Sequence, residues 1–291
     1  MKEIVVISGK GGTGKTSLTA ALAYLADGEA VIADCDVDAA DMHLLLSPDF
    51  SHDEDFYSGE VANIDPDLCT SCGLCMEKCR FSAIHRVNEE YSVNEIDCEG
   101  CGYCARICPV NAITMNDQLA GKFYISTTRL DNTLVHARLG AGAENSGKLV
   151  AKVKKEARVI AEKESKDYVI ADGSPGIGCP VISSLSGADY VVVVTEPSVS
   201  GMHDLKRVLE LVHKFDIPAS CIINKHDINP GMTNEIEDFL RSSNILHLCN
   251  IPYTASFTSA ITKGITIMEN GEDQMLVREA WRKIKEDINS K

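Results

Sequence analysis

Five short apolar runs set the rhythm of the chain. Ile4-Val5-Val6-Ile7 passes straight into the glycine-rich stretch Gly9 to Gly14, and a continuous run without alternation predicts a strand covered on both faces, as in a parallel sheet. Thr16 to Leu25 keeps an apolar face at helical spacing, and Val31-Ile32-Ala33 predicts a second strand that ends at Asp34. Comparable strands are expected at Tyr168 to Ala171, Tyr190 to Thr195 and Cys221 to Asn224, with helices over Leu149 to Glu164 and His203 to Lys214. Strand, loop, helix and strand in that order predict an α/β fold. Between about Ser47 and Tyr124 the rhythm stops, and the chain becomes short in period, rich in cysteine and punctuated by glycine. The expected organisation is therefore a core interrupted by an insertion: residues 1–47 and 125–291 form the core, and residues 48–124 the inserted domain.

Composition changes this picture at one point. With 291 residues, 44% of them hydrophobic, and a mean hydropathy of -0.05, the profile is that of a soluble globular protein. At about 150 residues per domain the length suits two domains. The 12 cysteines are well below the density of roughly 8 to 10% that marks a disulfide scaffold, yet eight of them fall between Cys69 and Cys108. The first apolar run is too short for a signal-peptide core of about 7 to 15 residues. The longest, Tyr190 to Val194, falls far short of the roughly 18 residues a membrane span needs. A reducing cytoplasm is the expected location, and there clustered cysteines serve as metal ligands or redox groups.

These eight cysteines form a repeat. Cys69, Cys72, Cys75 and Cys79 map onto Cys98, Cys101, Cys104 and Cys108 at a constant offset of 29 residues, and Ala83-Ile84 maps onto Ala112-Ile113. Each copy reads C-x-x-C-x-x-C-x-x-x-C, the spacing of bacterial two-cluster ferredoxins. There three close thiolates hold one cubane, and the fourth crosses to the other. The expected ligand sets are Cys69, Cys72, Cys75 and Cys108 for one [4Fe-4S] cluster, and Cys98, Cys101, Cys104 and Cys79 for the second. A pair of zinc sites is the competing explanation, but zinc ligand sets seldom cross in this way twice. Arg80 stands where the second copy has Pro109, which draws attention to the turn after Cys79.

A second motif lies in the first loop. Gly9-Lys10-Gly11-Gly12-Thr13-Gly14-Lys15-Thr16 fits G-x-x-x-x-G-K-[ST] between a predicted strand and a predicted helix, the context in which it marks a phosphate-binding loop rather than a plain glycine turn. Gly11, Gly12, Thr13, Gly14, Lys15, Thr16 and Ser17 are the expected nucleotide-binding set. Lys15 would reach the β and γ phosphates, and the Thr16 hydroxyl would hold Mg²⁺. Lys10 is an additional lysine on the loop's rim, able to enter a partner's site and neutralise charge there.

This loop resembles the deviant Walker A motif of the MinD, ParA, Mrp and nitrogenase iron protein group of ATPases, and the likeness extends further. Asp34-Cys35-Asp36-Val37-Asp38 resembles their switch I, which implies that Asp36 assists water or Mg²⁺. Asp172-Gly173-Ser174-Pro175-Gly176 resembles Walker B and switch II, which implies a role for Asp172 behind the Mg²⁺ ion. Asn224-Lys225 and Ile251-Pro252-Tyr253 resemble the turns that contact the base, which implicates Asn224 and Pro252. Through His136-Ala137-Arg138-Leu139, Glu144 to Leu149 and Gly178-Cys179-Pro180-Val181 the chain resembles the MinD-superfamily branch with an inserted ferredoxin. The resemblance implies a parallel-sheet P-loop NTPase core with an inserted two-cluster ferredoxin domain. ATP and ADP, Mg²⁺ and two [4Fe-4S] clusters are its cofactors. It also implies an ATP-sandwiched dimer, homomeric or with a paralogue, and a redox or metal-cofactor-assembly protein as partner.

Plainer roles compete at several positions. Asp34, Asp36, Asp38 and Asp41 also suit a solvated acidic turn, and Asn145 or Ser146 a helix cap. Cys35, Cys221 and Cys249 suit core packing. Cys179 lies seven residues after Asp172, and by the resemblance this is the offset at which the nitrogenase iron protein carries a cluster ligand. Lys and Arg number 28 against 43 Asp and Glu, a net charge of -15, which disfavours nucleic acid and anionic lipid as partners. The C-terminal stripe Val277, Ala280, Trp281, Ile284 and Ile288 suits packing on the sheet better than a membrane anchor. The expected function is an ATP-hydrolysing iron-sulfur protein that couples nucleotide state to electron transfer or cluster assembly. A positioning ATPase with redox-sensing clusters is the alternative.

Overall fold

The computed structural model describes residues 1–140, 142–143, 145–270 and 274–290. In chain order its elements are β1 (Lys2–Ser8), α1 (Lys15–Leu25), β2 (Ala30–Asp34), α2 (Met42–Leu46), β3 (His52–Ile64), α3 (Leu74–Lys78), β4 (Ile84–Val87), β5 (Glu90–Val93), α4 (Tyr103–Ile107) and β6 (Ile113–Thr127). There follow β7 (Thr133–Leu139), α5 (Ser146–Lys163), β8 (Tyr168–Pro175), α6 (Cys179–Leu185), β9 (Tyr190–Thr195), α7 (Val199–Lys214), β10 (Ala219–Asn224), α8 (Pro230–Ser242), β11 (Leu246–Ile251), α9 (Ala255–Lys263) and α10 (Gln274–Asn289). The chain divides into a first unit of Met1–Asp53, Phe123–Arg138 and Ser146–Lys291, and a second of Glu54–Lys122 and Leu139–Asn145.

The large sheet has the order β11-β10-β9-β1-β8-β2-β7-β6-β3. Its pairings from β11 through to β7 are parallel. The apolar runs explain the middle of this order, because β1, β2 and β9 are buried at almost every position and need cover on both faces. On one side Ile4, Val6, Ile32 and Val192 pack with Leu18 and Leu22 of α1 and with the apolar stripe of α10. All five residues of that stripe are buried, the Tyr168 and Trp281 rings meet edge to face at 5.4 Å, and the Tyr190 hydroxyl donates to Asp287 at 2.8 Å.

The interruption is bounded differently from the sequence expectation. The long strands β3 and β6 carry no continuous apolar run longer than Phe123-Tyr124-Ile125, and most of their residues are exposed or half-buried. Their periodicity therefore gave no strand signal. Leu139–Asn145, expected within the 125–291 part, falls in the second unit because the Gly140 N–H donates to the Ala120 carbonyl at 2.8 Å and ties the segment to β6. Glu144, part of the resemblance above, lies outside the described residues. Asn145 precedes α5 with φ of 71°.

In the second unit the sequence repeat is a structural repeat. Helices α3 and α4 each start after a glycine with φ of 78° (Gly73) or 69° (Gly102), a conformation costly to any residue with a Cβ. Each ends on a cysteine in extended conformation, Cys79 at φ -70° and ψ 113° and Cys108 at φ -67° and ψ 117°. Arg80 in place of proline leaves the backbone at Cys79 unchanged. Ala83, Ile84, Ala112 and Ile113 are all buried, and β4 pairs antiparallel with β5.

His136 is packed within the first unit beside Tyr124 and Phe50, with ring centroids 5.0 and 5.2 Å away, and its Nε2 lies 3.0 Å from the Ser126 hydroxyl. Burial first, and His43 second, lower its pKa to about 4. A base whose folded pKa lies below its unfolded value stabilises the fold above the unfolded pKa, and that stability drains away as pH falls toward the folded value. Thermal stability of the wild type should decline between about pH 6.5 and pH 4, and His136→Phe should flatten that decline. An unchanged profile in the variant would remove His136 as the cause.

Candidate functional site

The register of the sheet brings the acidic residues together. Asp34 and Asp172 are direct partners on the parallel strands β2 and β8, each at or near the carboxyl end, and Val6 of β1 is the next neighbour of Asp172. The loop after β1 then lays Lys15, the first residue of α1, over them. Its ammonium is 2.9 Å from Asp172 and 3.5 Å from Asp36. Burial works against the charged lysine, but Asp172 and then Asp36 outweigh it, and its pKa is raised. Asp34 is buried beside Asp172, and burial first and that like charge second push its pKa well up. Its two oxygens accept the N–H groups of Asp36 and Met42 at 3.1 and 3.3 Å, which shapes the loop that carries Asp36. Burial likewise raises Asp36. Asp38 and Asp41 are exposed.

Asp172 gathers the loop's hydroxyls as well as its lysine. Thr16 donates to one carboxylate oxygen at 2.7 Å and Thr19 to the other at 2.8 Å. Thr19 was not legible as a site residue, because one helical turn beyond Lys15 it reads as an ordinary helix position. Ser174 ties the same strand end to β2 by donating to the Cys35 carbonyl at 2.8 Å. Within the loop, Gly14 has φ of 90°, and a Cβ there would lie 2.5 Å from the Asn224 amide. Among the described residues, the N–H groups of Gly11 to Gly14 donate to no protein acceptor. The buried Thr13 hydroxyl has no hydrogen-bond partner. A cradle of free N–H groups, a buried ammonium and an orphaned hydroxyl fits the phosphates of a nucleotide, and Thr16 beside Asp172 fits a Mg²⁺ ion that those phosphates would share. Ser17 is half-buried in the first turn of α1.

The remaining predicted residues sit around this edge. Asn224 ends β10 and donates to the Thr13 carbonyl at 2.7 Å. The turn after β11 is fastened to the loop after β10, because the Tyr253 N–H donates to Asp227 at 2.6 Å and the His226 N–H to the Ile251 carbonyl at 3.1 Å. Pro252 lies in that turn. Lys10 pairs within its own chain, 2.6 Å from Glu196. Glu196 also binds Lys225 at 3.1 Å. Burial opposes its charge, yet the two lysines hold its carboxyl below the usual range. Cys35, Cys221 and Cys249 are buried, and burial raises each thiol, Cys249 to about 12. Cys179 is exposed at the start of α6.

In the second unit, the eight repeat cysteines line two cavities in crossed sets. Cys69, Cys72, Cys75 and Cys108 line one, about 20 Å³ in volume, with Ile64, Leu74 and Ile113. Cys79, Cys98, Cys101 and Cys104 line the other, about 530 Å³, which Cys75 also borders. Cys75 and Cys104 take equivalent places, and burial raises both thiols, with their neighbouring cysteines adding to the shift. Among the described residues no three or more His, Cys, Asp or Glu side chains form a group that could hold a metal ion.

Known proteins resemble the whole chain. The sequence model of the CobQ/CobB/MinD/ParA nucleotide binding domain matches residues 4–267. An uncharacterized protein of Methanocaldococcus jannaschii is 32% identical over 289 residues, covering 98% of this chain and 97% of its own. Among solved structures, the septum site-determining protein MinD of Pyrococcus horikoshii, complexed with Mg-ADP, superposes with a TM-score of 0.59 at 17% identity, over 97% of this chain and 95% of that one. The MinC:MinD cell division complex of Aquifex aeolicus gives 0.56 at 17% identity, over 98% and 96%. At these identities the structures speak to the fold.

The buried lysine carries a testable consequence. Lys15→Met would leave Asp34, Asp36 and Asp172 without their cation, and breaking a buried pair costs about 3 to 5 kcal/mol. An aspartate whose folded pKa is raised destabilises the fold increasingly as pH climbs through the unfolded value toward the folded one. Urea unfolding should therefore show a larger loss at about pH 8 than at about pH 5. Equal losses at both would exclude carboxylate repulsion as the source.

Proposed function

Because the chain belongs to the CobQ/CobB/MinD/ParA nucleotide-binding family, the MinD/ParA-type group of P-loop ATPases, we propose that it hydrolyses ATP as a dimer and couples nucleotide state to electron transfer or cluster assembly on a partner protein. The observation that carries the iron-sulfur part is the crossed lining of the two cavities, in which the fourth cysteine of each repeat joins the first three of the other. A structural zinc ion draws four sulfurs to about 2.3 Å from one point. Two runs of four cysteines whose fourth members cross suit a pair of cubanes, which would supply one-electron carriers when bound.

In this reading Lys15 and the loop N–H groups hold the phosphates, Thr16 and Asp172 hold Mg²⁺, and Asp36 orients the attacking water. Lys10 completes the partner subunit's site in the dimer, whether the second chain is identical or a paralogue. Switch segments change arrangement when γ-phosphate is lost. The chain passes into the cysteine-rich unit soon after Asp36, so nucleotide state has a covalent path to it. The proposed setting is the cytoplasm, with a redox or cofactor-assembly protein as client.

A positioning ATPase is the second reading, and the septum site-determining MinD among the structural relatives favours it. Such a protein needs a surface anchor. The C-terminal stripe that best resembles one is buried against the sheet, and the net charge of -15 opposes attraction to DNA or anionic lipid.

Anaerobic analysis of the protein should find about eight iron and eight sulfide per chain, and four or fewer would reject two clusters. Lys10→Ala should keep Mg-ADP binding and lose ATP turnover, whereas undiminished turnover would reject its role across the dimer. Sedimentation with liposomes or DNA in the presence of ATP separates the two readings, since ATP-dependent pelleting is expected only of the positioning protein.

A further inference from the structure

The repeat of 29 residues extends beyond the cysteines into the walls of the two cavities. Ile64 and Val93 hold the same place in the two walls, as do Pro109 and Arg80, and Val110 and Phe81. The cavities are two copies of one arrangement, so their unequal size traces to individual side chains. The position seven residues before the first cysteine of each copy differs most. Like the fourth cysteine, it crosses to the other copy's cavity: Tyr91 borders the small one with Cys108, and Ala62 the large one with Cys79. Tyr91 is held on the β4–β5 hairpin, where it pairs with Arg86 and its ring lies 5.9 Å from the Arg86 guanidinium. Its hydroxyl reaches over Gly73, where an added Cβ would come within 2.9 Å of it. At Gly102, the equivalent of Gly73, a Cβ would meet nothing within 4 Å. The phenol that fills one cavity is thus missing from the other, in keeping with volumes of about 20 Å³ and about 530 Å³. Charge differs too. Where the small cavity has Pro109, the large one has Arg80, which is exposed and makes no ion pair among the described residues. Lys78 on the same wall is tied to Glu77 at 2.7 Å, and Glu99 also borders this cavity.

We propose that the cysteine set of the large cavity, Cys79, Cys98, Cys101 and Cys104, is the port through which the chain exchanges electrons with an acidic redox protein, opened by Ala62 and aimed by Arg80. The inference rests on the two-cluster reading above and adds which cluster faces the partner and which side chains decide it. One electron passes at a time, lost by one protein's carrier and gained by the other's, with no bond made or broken. A phenol over the thiolates keeps a partner's carrier at a distance, whereas alanine lets it approach. A guanidinium at the opening speeds encounter with an anionic surface and slows encounter with a cationic one. The cluster behind Tyr91 is the inner member of the pair.

The test gives each deciding position the residue of its twin, as Ala62→Tyr and Arg80→Pro. Proline suits the backbone after Cys79, whose φ of -70° and ψ of 113° match the φ of -67° and ψ of 117° of Cys108 before Pro109. The intact chain, supplied anaerobically with iron and sulfide and reduced with dithionite, is oxidised in stopped flow by cobalt(III)-EDTA, an anion, and by hexaamminecobalt(III), a cation. Arg80→Pro should cut the ratio of anion to cation rate about threefold to tenfold, the scale of one charge a few ångström away in a wet site. Ala62→Tyr should slow both reagents alike; if it takes up less iron than the wild type, the smaller Ala62→Leu replaces it. Val110→Lys, which sets a cation on the wall of the small cavity, should leave the ratio unchanged. Rates altered by neither Ala62→Tyr nor Arg80→Pro overturn the proposal, as does a ratio that Val110→Lys raises as much as Arg80→Pro lowers it. Iron content separates the two claims: four or fewer per chain rejects the two-cluster reading and the port with it, whereas about eight with unaltered rates rejects the port alone.

Discussion

One ammonium among three carboxylates sets the terms for the rest of the first unit. The parallel register makes Asp34 and Asp172 neighbours on adjacent strands, an arrangement that two ionised groups would resist in the absence of a cation. Lys15 supplies that cation from the loop, and Thr16 and Thr19 fill the remaining positions on Asp172. The glycine-rich loop must then pass close enough to Asn224 that no Cβ fits at Gly14. Sheet register, loop composition and the first turn of α1 are therefore consequences of one electrostatic requirement. A nucleotide enters a site whose positive and negative groups already face one another, and it has to redistribute these contacts rather than create them. Such redistribution is how a phosphate group can bias the loops that follow β2 and β8.

The second unit answers to a different constraint. Its helices are single turns with no buried residues of their own, so little hydrophobic packing holds α3 and α4 in place. Below about 70 to 80 residues a small core is usually supplemented by disulfides or a metal. A unit of this size with eight thiols around two cavities has an evident need for such a staple. The cavities differ: one is small, about 20 Å³, and mainly apolar, while the other is far larger, about 530 Å³, with Lys78, Arg80, Phe81 and Tyr103 at its wall. Under the proposed two-cluster reading, equivalent ligand sets beside differently charged walls would have unequal reduction potentials, since nearby charge is among the terms that set them.

Much of this was legible in the sequence where a physical requirement forces a residue type. Continuous apolar runs exposed the buried strands β1, β2 and β9, and the glycine-lysine pattern exposed the loop, because each has few alternatives. The offset of 29 residues exposed the structural repeat, and the α10 stripe showed its packing role. What stayed hidden lacks a local signature. β3 and β6 are mostly solvated and do not alternate cleanly. Thr19 and Ser174 act through neighbours on other strands, and Glu196 acquires its meaning only when the fold carries it to Lys10, 186 positions earlier in the chain. The same holds for Leu139–Asn145, whose place is fixed by a bond to Ala120 rather than by its own composition.

The two lysines of the loop show how position divides one chemistry into two tasks. Lys15 is buried, its charge is demanded by the carboxylates beneath it, and it has no reason to leave. Lys10 is a third exposed and held by one carboxylate and two hydroxyls, Glu196 and Ser198 from the turn after β9 and Ser200 from the start of α7. Neutral hydroxyl acceptors bind an ammonium more weakly than ionised ones do, so Glu196 holds Lys10 more strongly than Ser198 and Ser200 do. Burial and the number of carboxylates around each ammonium thus separate a lysine fixed in the core from one that solvent reaches.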